Sequence, residues 1–177
     1  MNSSDSLWQQ IIEPIEDRMI RSVWRITRNA QDAEDAMQNA LMTIWRRQHQ
    51  ISKHASPQAL ILRMCVDAAC DVARRRGRER RKIELHGPPD QLVDEVPSPW
   101  EEIAQRELSS EIVAAITRLS RRQAAAITLH VFEQLPYEEI AAAMNCTAAT
   151  ARKHAERARD HLRVVLAKHE PQRMPRR

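Results

Sequence analysis

Apolar residues recur at every third or fourth position along most of the chain, which is the spacing of helices that bury one face. In the first half this spacing holds over residues 8–26, 33–45 and 61–72. Pro14 falls inside the first segment, and because an interior proline breaks the hydrogen-bond ladder, that helix is predicted to kink or to begin there. A further helix is predicted across the basic residues 74–82.

Two segments interrupt the helical spacing. Residues 48–56 are polar and are predicted as a loop, which ends in Ser56 and Pro57, an N-cap followed by proline at the first helical position. Residues 86–100 contain Gly-Pro-Pro and Pro-Ser-Pro, which cannot continue a helix. The second segment is therefore predicted to be a linker that holds two helical modules apart.

The second half predicts four short helices. The first covers residues 108–119, and Ser120 with Gln123 forms a capping box at the start of the second. Pro136 opens the third helix and Thr147 caps the fourth. The fold class predicted is all-α, with two small helical domains: an N-terminal helical bundle (5–82), an acidic, proline-containing linker (83–105), a C-terminal helix-turn-helix four-helix domain (106–169) and a basic tail (170–177).

Composition narrows the class of protein. The chain has only two glycines, which excludes the glycine-rich loops that cradle phosphates. Its three cysteines are widely spaced and odd in number, which favours a reducing cytosol over a disulfide framework. The first residues are polar, so no secretory signal is expected, and no apolar run approaches the roughly 18 residues of a membrane span. We therefore expect a cytoplasmic protein with no membrane partner.

Charge is distributed in three blocks. Residues 63–82 hold eight Lys/Arg and three Asp/Glu, residues 83–105 hold six acidic and no Lys/Arg residues, and residues 147–168 hold six Lys/Arg and two acidic residues. Two basic blocks thus flank an acidic one. Because Lys and Arg clusters are the electrostatic footprint of nucleic-acid binding, a phosphate-rich partner is favoured for both halves.

Residues 135–163 have the pattern of a helix-turn-helix, with small residues at 141–143 where two crossing helices approach closely. In such units the second helix enters the major groove, where Arg152 could donate two hydrogen bonds to a guanine edge. Periodicity alone fits an ordinary helical hairpin with a solvated charged face equally well; the turn position and the surplus of bases favour DNA. The candidate DNA-binding residues here are Thr147, Ala149, Thr150, Arg152, Lys153, Glu156 and Arg157.

Residues 119–123 (LSRRQ), 136–141 (PYEEIA) and 157–159 (RAR) resemble region 4 of the extracytoplasmic-function sigma factors of the sigma-70 family. The resemblance implies that this domain binds the minus-thirty-five promoter element. Residues 32–46 resemble region 2.2 of the same family, which implies docking on the clamp helices of the polymerase β′ subunit; taken alone, its acids could simply favour a helix N-terminus. The implied core-binding residues are Asp32, Glu34, Asp35, Gln38, Asn39 and Trp45.

Residues 56–76 resemble regions 2.3 and 2.4, which bind and melt the minus-ten element. Two family residues are absent: Ala59 and Leu60 stand where a tryptophan is usual, and an asparagine is missing near Asp67. These departures leave open which side chains capture the unstacked base; Lys53 and His54 are candidates, although plain loop solvation also explains them. The candidate minus-ten residues are Lys53, His54, Arg63, Asp71, Arg74, Arg75 and Arg76.

The resemblance implies a sigma factor. Proteins of this family bind core RNA polymerase, through the β′ clamp helices and the β flap, and promoter DNA. Many of them are also bound by an anti-sigma factor. The alternative hypothesis is a stand-alone helix-turn-helix repressor or activator, which has no use for the 32–45 face. An enzyme is the third hypothesis, but the Cys65–Cys70 spacing is not that of a zinc site. We expect no catalytic residue, metal, cofactor or small-molecule substrate.

Overall fold

The computed structural model describes residues 8–86 and 110–167, and every regular element in these two ranges is helical. The all-α prediction is confirmed. A π-helical turn (Trp8–Ile12) and a 3₁₀ turn (Glu13–Ile15) lead into the first helix. The α-helices are α1 (Glu16–Thr27), α2 (Ala30–Arg46), α3 (Gln48–Ile51), α4 (Pro57–His86), α5 (Ser110–Arg118), α6 (Arg121–Val131), α7 (Tyr137–Met144) and α8 (Ala148–Leu166).

At the start of the described chain, a proline and a helix cap determine where the helices begin. Pro14 lies in the 3₁₀ turn, so that α1 begins two residues later. Arg28 then adopts a left-handed conformation (φ 52°) that ends α1, and the Asn29 side chain accepts a hydrogen bond from the Asp32 amide (3.0 Å) at the start of α2. The tight reversal sets α1 and α2 side by side, and both pack on α4.

Two predictions on the first half need correction. The segment predicted as a loop contains α3, because Ile51 is fully buried and draws this stretch onto the core. The basic residues 74–82 do not form a separate helix: α4 runs unbroken to His86, which takes in the first four residues of the segment predicted as linker. The rest of that segment and the basic tail lie outside the described residues, and the division into domains stays a prediction.

The second half shows the predicted caps. Ser120 accepts a hydrogen bond from the Gln123 amide while the Gln123 side chain accepts one from the Ser120 amide, which is the predicted capping box. Asn145 adopts a left-handed conformation (φ 51°) that ends α7. Thr147 caps α8 through the Thr150 amide (3.2 Å). These local signals set the angle between α7 and α8.

The core of the first half is built on α4, whose buried residues pack against α1 and α2. In the second half the inner face of α8 is made of Ala151, Ala155 and Ala158, all fully buried. Because alanine lets helix axes approach closely, α8 lies directly against α6 and α7. The small inner face leaves the long charged side chains of α8 on the outside.

Replacing Leu62 with alanine is expected to lower the free energy of unfolding by about 2–5 kcal/mol, because Leu62 is fully buried on α4 and its removal leaves a cavity. Val164→Ala is the matched control: Val164 is 64% exposed, and its truncation should cost less than about 0.5 kcal/mol. Urea unfolding followed by circular dichroism measures both. Equal losses in the two variants would show that the α4 face is not the core of the fold.

The two halves are in contact, contrary to the prediction that a tether holds them apart. Helix α4 packs against α6 and α7, and α1 packs against α5. The buried apolar side chains of both halves form one continuous cluster. Several polar contacts between residues more than 100 positions apart join the halves. The periodicity of neither half identifies which residues are partners in such contacts.

Candidate nucleic-acid and polymerase interface

The predicted recognition helix, α8, presents its basic face to solvent. Arg152, Lys153, Glu156 and Arg157 are exposed, while the alanines of the opposite face are buried. Ala149 is also exposed, and Thr147 and Thr150 share a hydrogen bond at the helix start (2.9 Å between hydroxyl oxygens). The structure therefore brings all the candidate minus-thirty-five residues to one surface, at a helix N-terminus that suits phosphate contacts.

One aromatic side chain positions the central arginine of this surface. The Arg152 guanidinium lies 5.3 Å from the ring centroid of Tyr137, and Tyr137 stacks on His130 with centroids 4.2 Å apart. The His130 Nδ1 lies 3.2 Å from the Leu135 carbonyl oxygen, which fixes the stack. Tyr137 was matched as part of the motif, but its contact with Arg152 was not predicted, since it joins two different helices.

His154 lies on the same helix and is partly buried. Burial lowers its pKa, and the nearby Arg122 and Arg157 lower it further. The lowered pKa favours the neutral imidazole, so arginine and lysine supply most of the positive charge of this surface, and their contacts with phosphates depend on salt.

The candidate minus-ten arginines at the distal part of α4 pair with candidate core-binding acids of α2. Arg76 Nη1 lies 2.7 Å from Asp32 Oδ2, and Arg75 Nη2 lies 3.2 Å from Asp35 Oδ2. Both arginines are more than half exposed. The Arg75–Asp35 pair is about half exposed on both sides and contributes about 0–1 kcal/mol, so a phosphate or a basic protein surface can replace either partner at little cost. The Asp32 side chain, in contrast, is only 14% exposed.

Three other candidate minus-ten residues contact the C-terminal half. Arg63 Nη1 donates to the Ala143 carbonyl oxygen (2.6 Å). Arg74 donates through Nε to the Thr117 carbonyl (2.9 Å) and through Nη2 to the Leu119 carbonyl (2.8 Å). The third residue, Asp71, accepts two hydrogen bonds from Arg121 Nη2 (2.6 and 2.8 Å). In this conformation the side chains of Arg63, Asp71 and Arg74 form hydrogen bonds with the C-terminal half.

The candidate base-capturing loop lies between α3 and α4. Lys53 is exposed, whereas His54 is partly buried and its Nδ1 accepts a hydrogen bond from the Ser56 amide (3.0 Å). The Ser56 hydroxyl in turn donates to Glu139 Oε2 (3.2 Å) on α7. The structure therefore brings Lys53 and His54 to the start of α4, but it uses one ring nitrogen of His54 to shape the turn.

The outer face of α2 combines acids, amides and an apolar patch. Glu34, Gln38 and Asn39 are exposed, and Asp35 is half exposed. Trp45 is 62% exposed, an unusual degree for a tryptophan.

The apolar patch extends beyond the predicted set, and sequence reasoning missed two of its members. Met42 is 49% exposed and Trp8 is 45% exposed, and both line a shallow groove with Trp45. Met42 does not belong to the buried stripe of α2, which was a signal that it points outward. Exposed apolar patches bounded by polar residues mark interaction sites, so α2 carries the features of a docking face.

The two cysteines on α4, Cys65 and Cys70, are buried. Burial raises the pKa of the Cys65 and Cys70 thiols to about 12, so both are protonated at neutral pH. Within residues 8–86 and 110–167 there is no cluster of three His, Cys, Asp or Glu side chains that could hold a metal ion. Both cysteines are packed as small apolar side chains of α4.

The thiols are expected to differ in reactivity. In the folded protein Cys146 should react with an aromatic disulfide reagent, because it is only partly buried, while Cys65 and Cys70 should react only after denaturation. Counting released chromophore before and after adding guanidinium measures this. Rapid reaction of all three thiols in the native state would contradict the burial of the α4 face.

Comparison with known proteins gives matches over both halves. The family Sigma-70 region 2 matches residues 11–79, and the family Sigma-70, region 4 matches residues 109–162. In the part of the chain that the structure describes, no helix has the length and apolar character needed to cross a membrane.

Relatives with curated names are similar along most of the chain. The ECF RNA polymerase sigma factor SigE of Mycolicibacterium smegmatis is 31% identical over 162 residues, which are 92% of this chain and 62% of that protein. The RNA polymerase sigma-E factor of Streptomyces avermitilis is 26% identical, over 90% of this chain and 84% of that protein. The RNA polymerase sigma-H factor of Pseudomonas aeruginosa is 24% identical, over 84% and 80%. This chain therefore spans less than two thirds of the first relative.

A solved structure has a similar fold. The sigma factor RpoE of Bartonella quintana, crystallised in complex with the anti-sigma factor NepR, superposes with a TM-score of 0.56 at 22% sequence identity. The match covers 92% of this chain and 98% of the other. At this identity the likeness supports the arrangement of helices alone.

Proposed function

The chain belongs to the sigma-70 family of RNA polymerase sigma factors, as its resemblance to extracytoplasmic-function members predicts, and on this premise we propose that it binds core RNA polymerase through α2 and carries it to promoters through α4 and α8. One observation carries the proposal: a single chain presents both a solvent-facing basic helix and a separate acidic, tryptophan-bearing helix face. The first fits DNA, and the second fits a protein partner.

The proposal for core binding rests on the chemistry of α2. Acidic and amide side chains suit a basic partner surface, and complementary charge speeds association and fixes register. Trp45 and Met42 supply the exposed apolar area that binding hot spots use. We assign this face to the β′ clamp helices, and the C-terminal half to the β flap, by analogy with the family.

The proposal for DNA binding rests on two surfaces. The exposed side chains of α8 are assigned to the minus-thirty-five element, with Arg152 on a base edge and Lys153 and Arg157 on phosphates. Arg75 and Arg76 of α4, with the loop at Lys53, are assigned to the minus-ten region. Each surface is small, so binding both elements with one chain raises the affinity through effective concentration.

An anti-sigma factor is included among the proposed partners, because the structurally similar RpoE was crystallised with one. Such a partner would compete with core polymerase for the same exposed faces. We place the activity in the cytoplasm, where core polymerase and the chromosome are found.

A stand-alone repressor or activator is the alternative function, and a pull-down with core polymerase separates the two. We expect the tagged chain to retain core polymerase in an approximately equimolar complex that survives washing at physiological salt. Binding to duplex DNA without retention of core polymerase would favour the repressor. A chain with Trp45 and Met42 both replaced by alanine serves as the control for specific retention, because it loses the apolar patch without changing charge.

A further inference from the structure

A cleft between α4 and α5 brings four arginines together. Its volume is about 410 Å³, and small-molecule sites in proteins usually measure about 300–1,000 Å³. Arg74, Arg78 and Arg81 line the cleft from α4, and Arg118 lines it from α5. The described residues that line it include no aspartate or glutamate. The charge of the cleft therefore selects an anion.

The innermost of these arginines is held in place by the end of α5. Helix α5 ends at the cleft, and the carbonyl oxygens of a helix C-terminus repel a negative charge. Arg74 donates through Nε to the Thr117 carbonyl (2.9 Å) and through Nη2 to the Leu119 carbonyl (2.8 Å). Because these oxygens are paired with a guanidinium, the end of α5 does not oppose the binding of an anion.

The other three arginines of the cleft are exposed. The Arg81 side chain lies back along α4, since its Nε donates to the Gly77 carbonyl oxygen (3.0 Å). A guanidinium can donate to two oxygens of one phosphate, which makes arginine well suited to phosphate binding. Several guanidinium groups around one concave surface favour an anion with several phosphate groups over a single carboxylate.

Gly77 also lines the cleft, and helix packing does not explain it. It lies inside α4, where glycine destabilises a helix relative to alanine. Glycine is useful at such a position when another group must approach the backbone closely. A Cβ at Gly77, however, would meet no atom of the described chain within 4 Å. The space in front of Gly77 is therefore available to a ligand.

We propose that this cleft binds a short linear oligophosphate, either free or at the end of a nucleotide. The described lining holds no aromatic ring on which a base could stack, so the phosphates alone are recognised. A DNA duplex presents its phosphates on a convex surface and does not enter a cleft of this volume. Arg78, Arg81 and Arg118 are not among the candidate DNA-binding residues, so this site goes beyond the proposed function.

The test is a calorimetric titration of the full chain with inorganic tripolyphosphate. We expect one saturable site per chain with half-saturation below about 1 mM. The affinity should fall as salt is added, because the arginines are exposed. ATP and GTP should bind within about threefold of tripolyphosphate, whereas orthophosphate, which reaches fewer arginines, should bind at least about tenfold more weakly.

Two variants separate the charge of the cleft from its open space. Arg78→Gln with Arg118→Gln removes one guanidinium from each helix and should lower the affinity at least about 30-fold. Gly77→Leu keeps every charge but adds a side chain to the open space, and should lower the affinity at least about tenfold. Circular dichroism should show unchanged helix content in Gly77→Leu, because leucine favours a helix more than glycine does.

Each variant has a matched control. Arg159→Gln with Arg163→Gln removes two exposed arginines from α8, outside the cleft. Gly77→Ala improves helix propensity in the same way as Gly77→Leu but adds a single methyl group. Both controls should bind tripolyphosphate within about threefold of the parent chain.

The inference is overturned if no saturable binding appears below about 1 mM, if the α8 control loses as much affinity as Arg78→Gln/Arg118→Gln, or if Gly77→Leu binds like the parent chain. It is also overturned if Arg78→Gln/Arg118→Gln weakens binding of single-stranded DNA as much as that of tripolyphosphate, because the cleft would then belong to the DNA-binding surface. Absence of core polymerase binding would refute the proposed function alone and would leave these titrations unaffected.

Discussion

Replacing Arg152 and Lys153 together with alanine is expected to abolish promoter-specific transcription while core binding is retained. Both side chains are exposed on the outer face of α8, and Tyr137 holds the Arg152 guanidinium in position. Loss of one bidentate contact with guanine costs about 1–3 kcal/mol. Loss of a phosphate contact lowers affinity for all sequences and reduces the salt slope by roughly 1. Together these losses should bring binding at the minus-thirty-five element close to its non-specific level.

The measurement is run-off transcription with reconstituted polymerase, beside a core pull-down. Arg159→Ala with Arg163→Ala is the control, because it removes two exposed arginines from the same helix, outside the proposed contact set. The control should keep most promoter-specific transcript. Equal loss in both double variants would mean that only the total charge of α8 matters, and loss of core binding in Arg152→Ala/Lys153→Ala would show that α8 is not the promoter-reading helix.

Reversing one charge on α2 is expected to have a comparably large effect on core binding. Asp35 is half exposed, and in Asp35→Arg a new cation would stand beside Arg75 and face the basic surface proposed for the partner. Like charges brought together at an interface cost several kcal/mol, so core affinity should fall by at least about 30-fold. The fold itself should change little, because the Asp35–Arg75 pair lies at the surface.

The affinity for core polymerase is measured by titration of a fluorescently labelled chain. Glu16→Arg is the control for net charge, since Glu16 is exposed on α1 and does not belong to α2. It should bind within about threefold of the parent chain. Unchanged affinity in Asp35→Arg would refute the docking face on α2.

Local rules predicted most of the helices and the outward face of α8. Caps such as Ser120 and Thr147 depend only on residues within four positions in the sequence. The burial of one side of α8 follows from the helical spacing of its alanines. The exposure of Arg152 and Lys153 could therefore be predicted from the sequence. The short helix α3 was missed because burial of one residue, Ile51, outweighs the polar character of its neighbours.

The contact between the halves could not be predicted, because it depends on side chains far apart in the chain. Glu133 follows Phe132 just after α6, and nothing in the sequence indicates that it is buried against Arg18, Ser22 and Arg25 of α1. A signal did exist in α1, where Ser22 interrupts the apolar stripe between Met19 and Ile26. It identifies a polar contact of that face but not the partner. The assignments of Arg63, Asp71 and Arg74 to DNA came from local resemblance, which does not indicate which residues of the other half contact them.

Transcription starts mapped with reconstituted polymerase test the central claim most directly. Core polymerase from the same organism is supplied with genomic DNA, with or without the purified chain, and the 5′ ends of the transcripts are sequenced. Addition of the chain is expected to produce a discrete set of starts, each preceded by the same two short elements at a fixed spacing. Starts identical to those of core polymerase alone, from a chain that binds duplex DNA, would contradict the account.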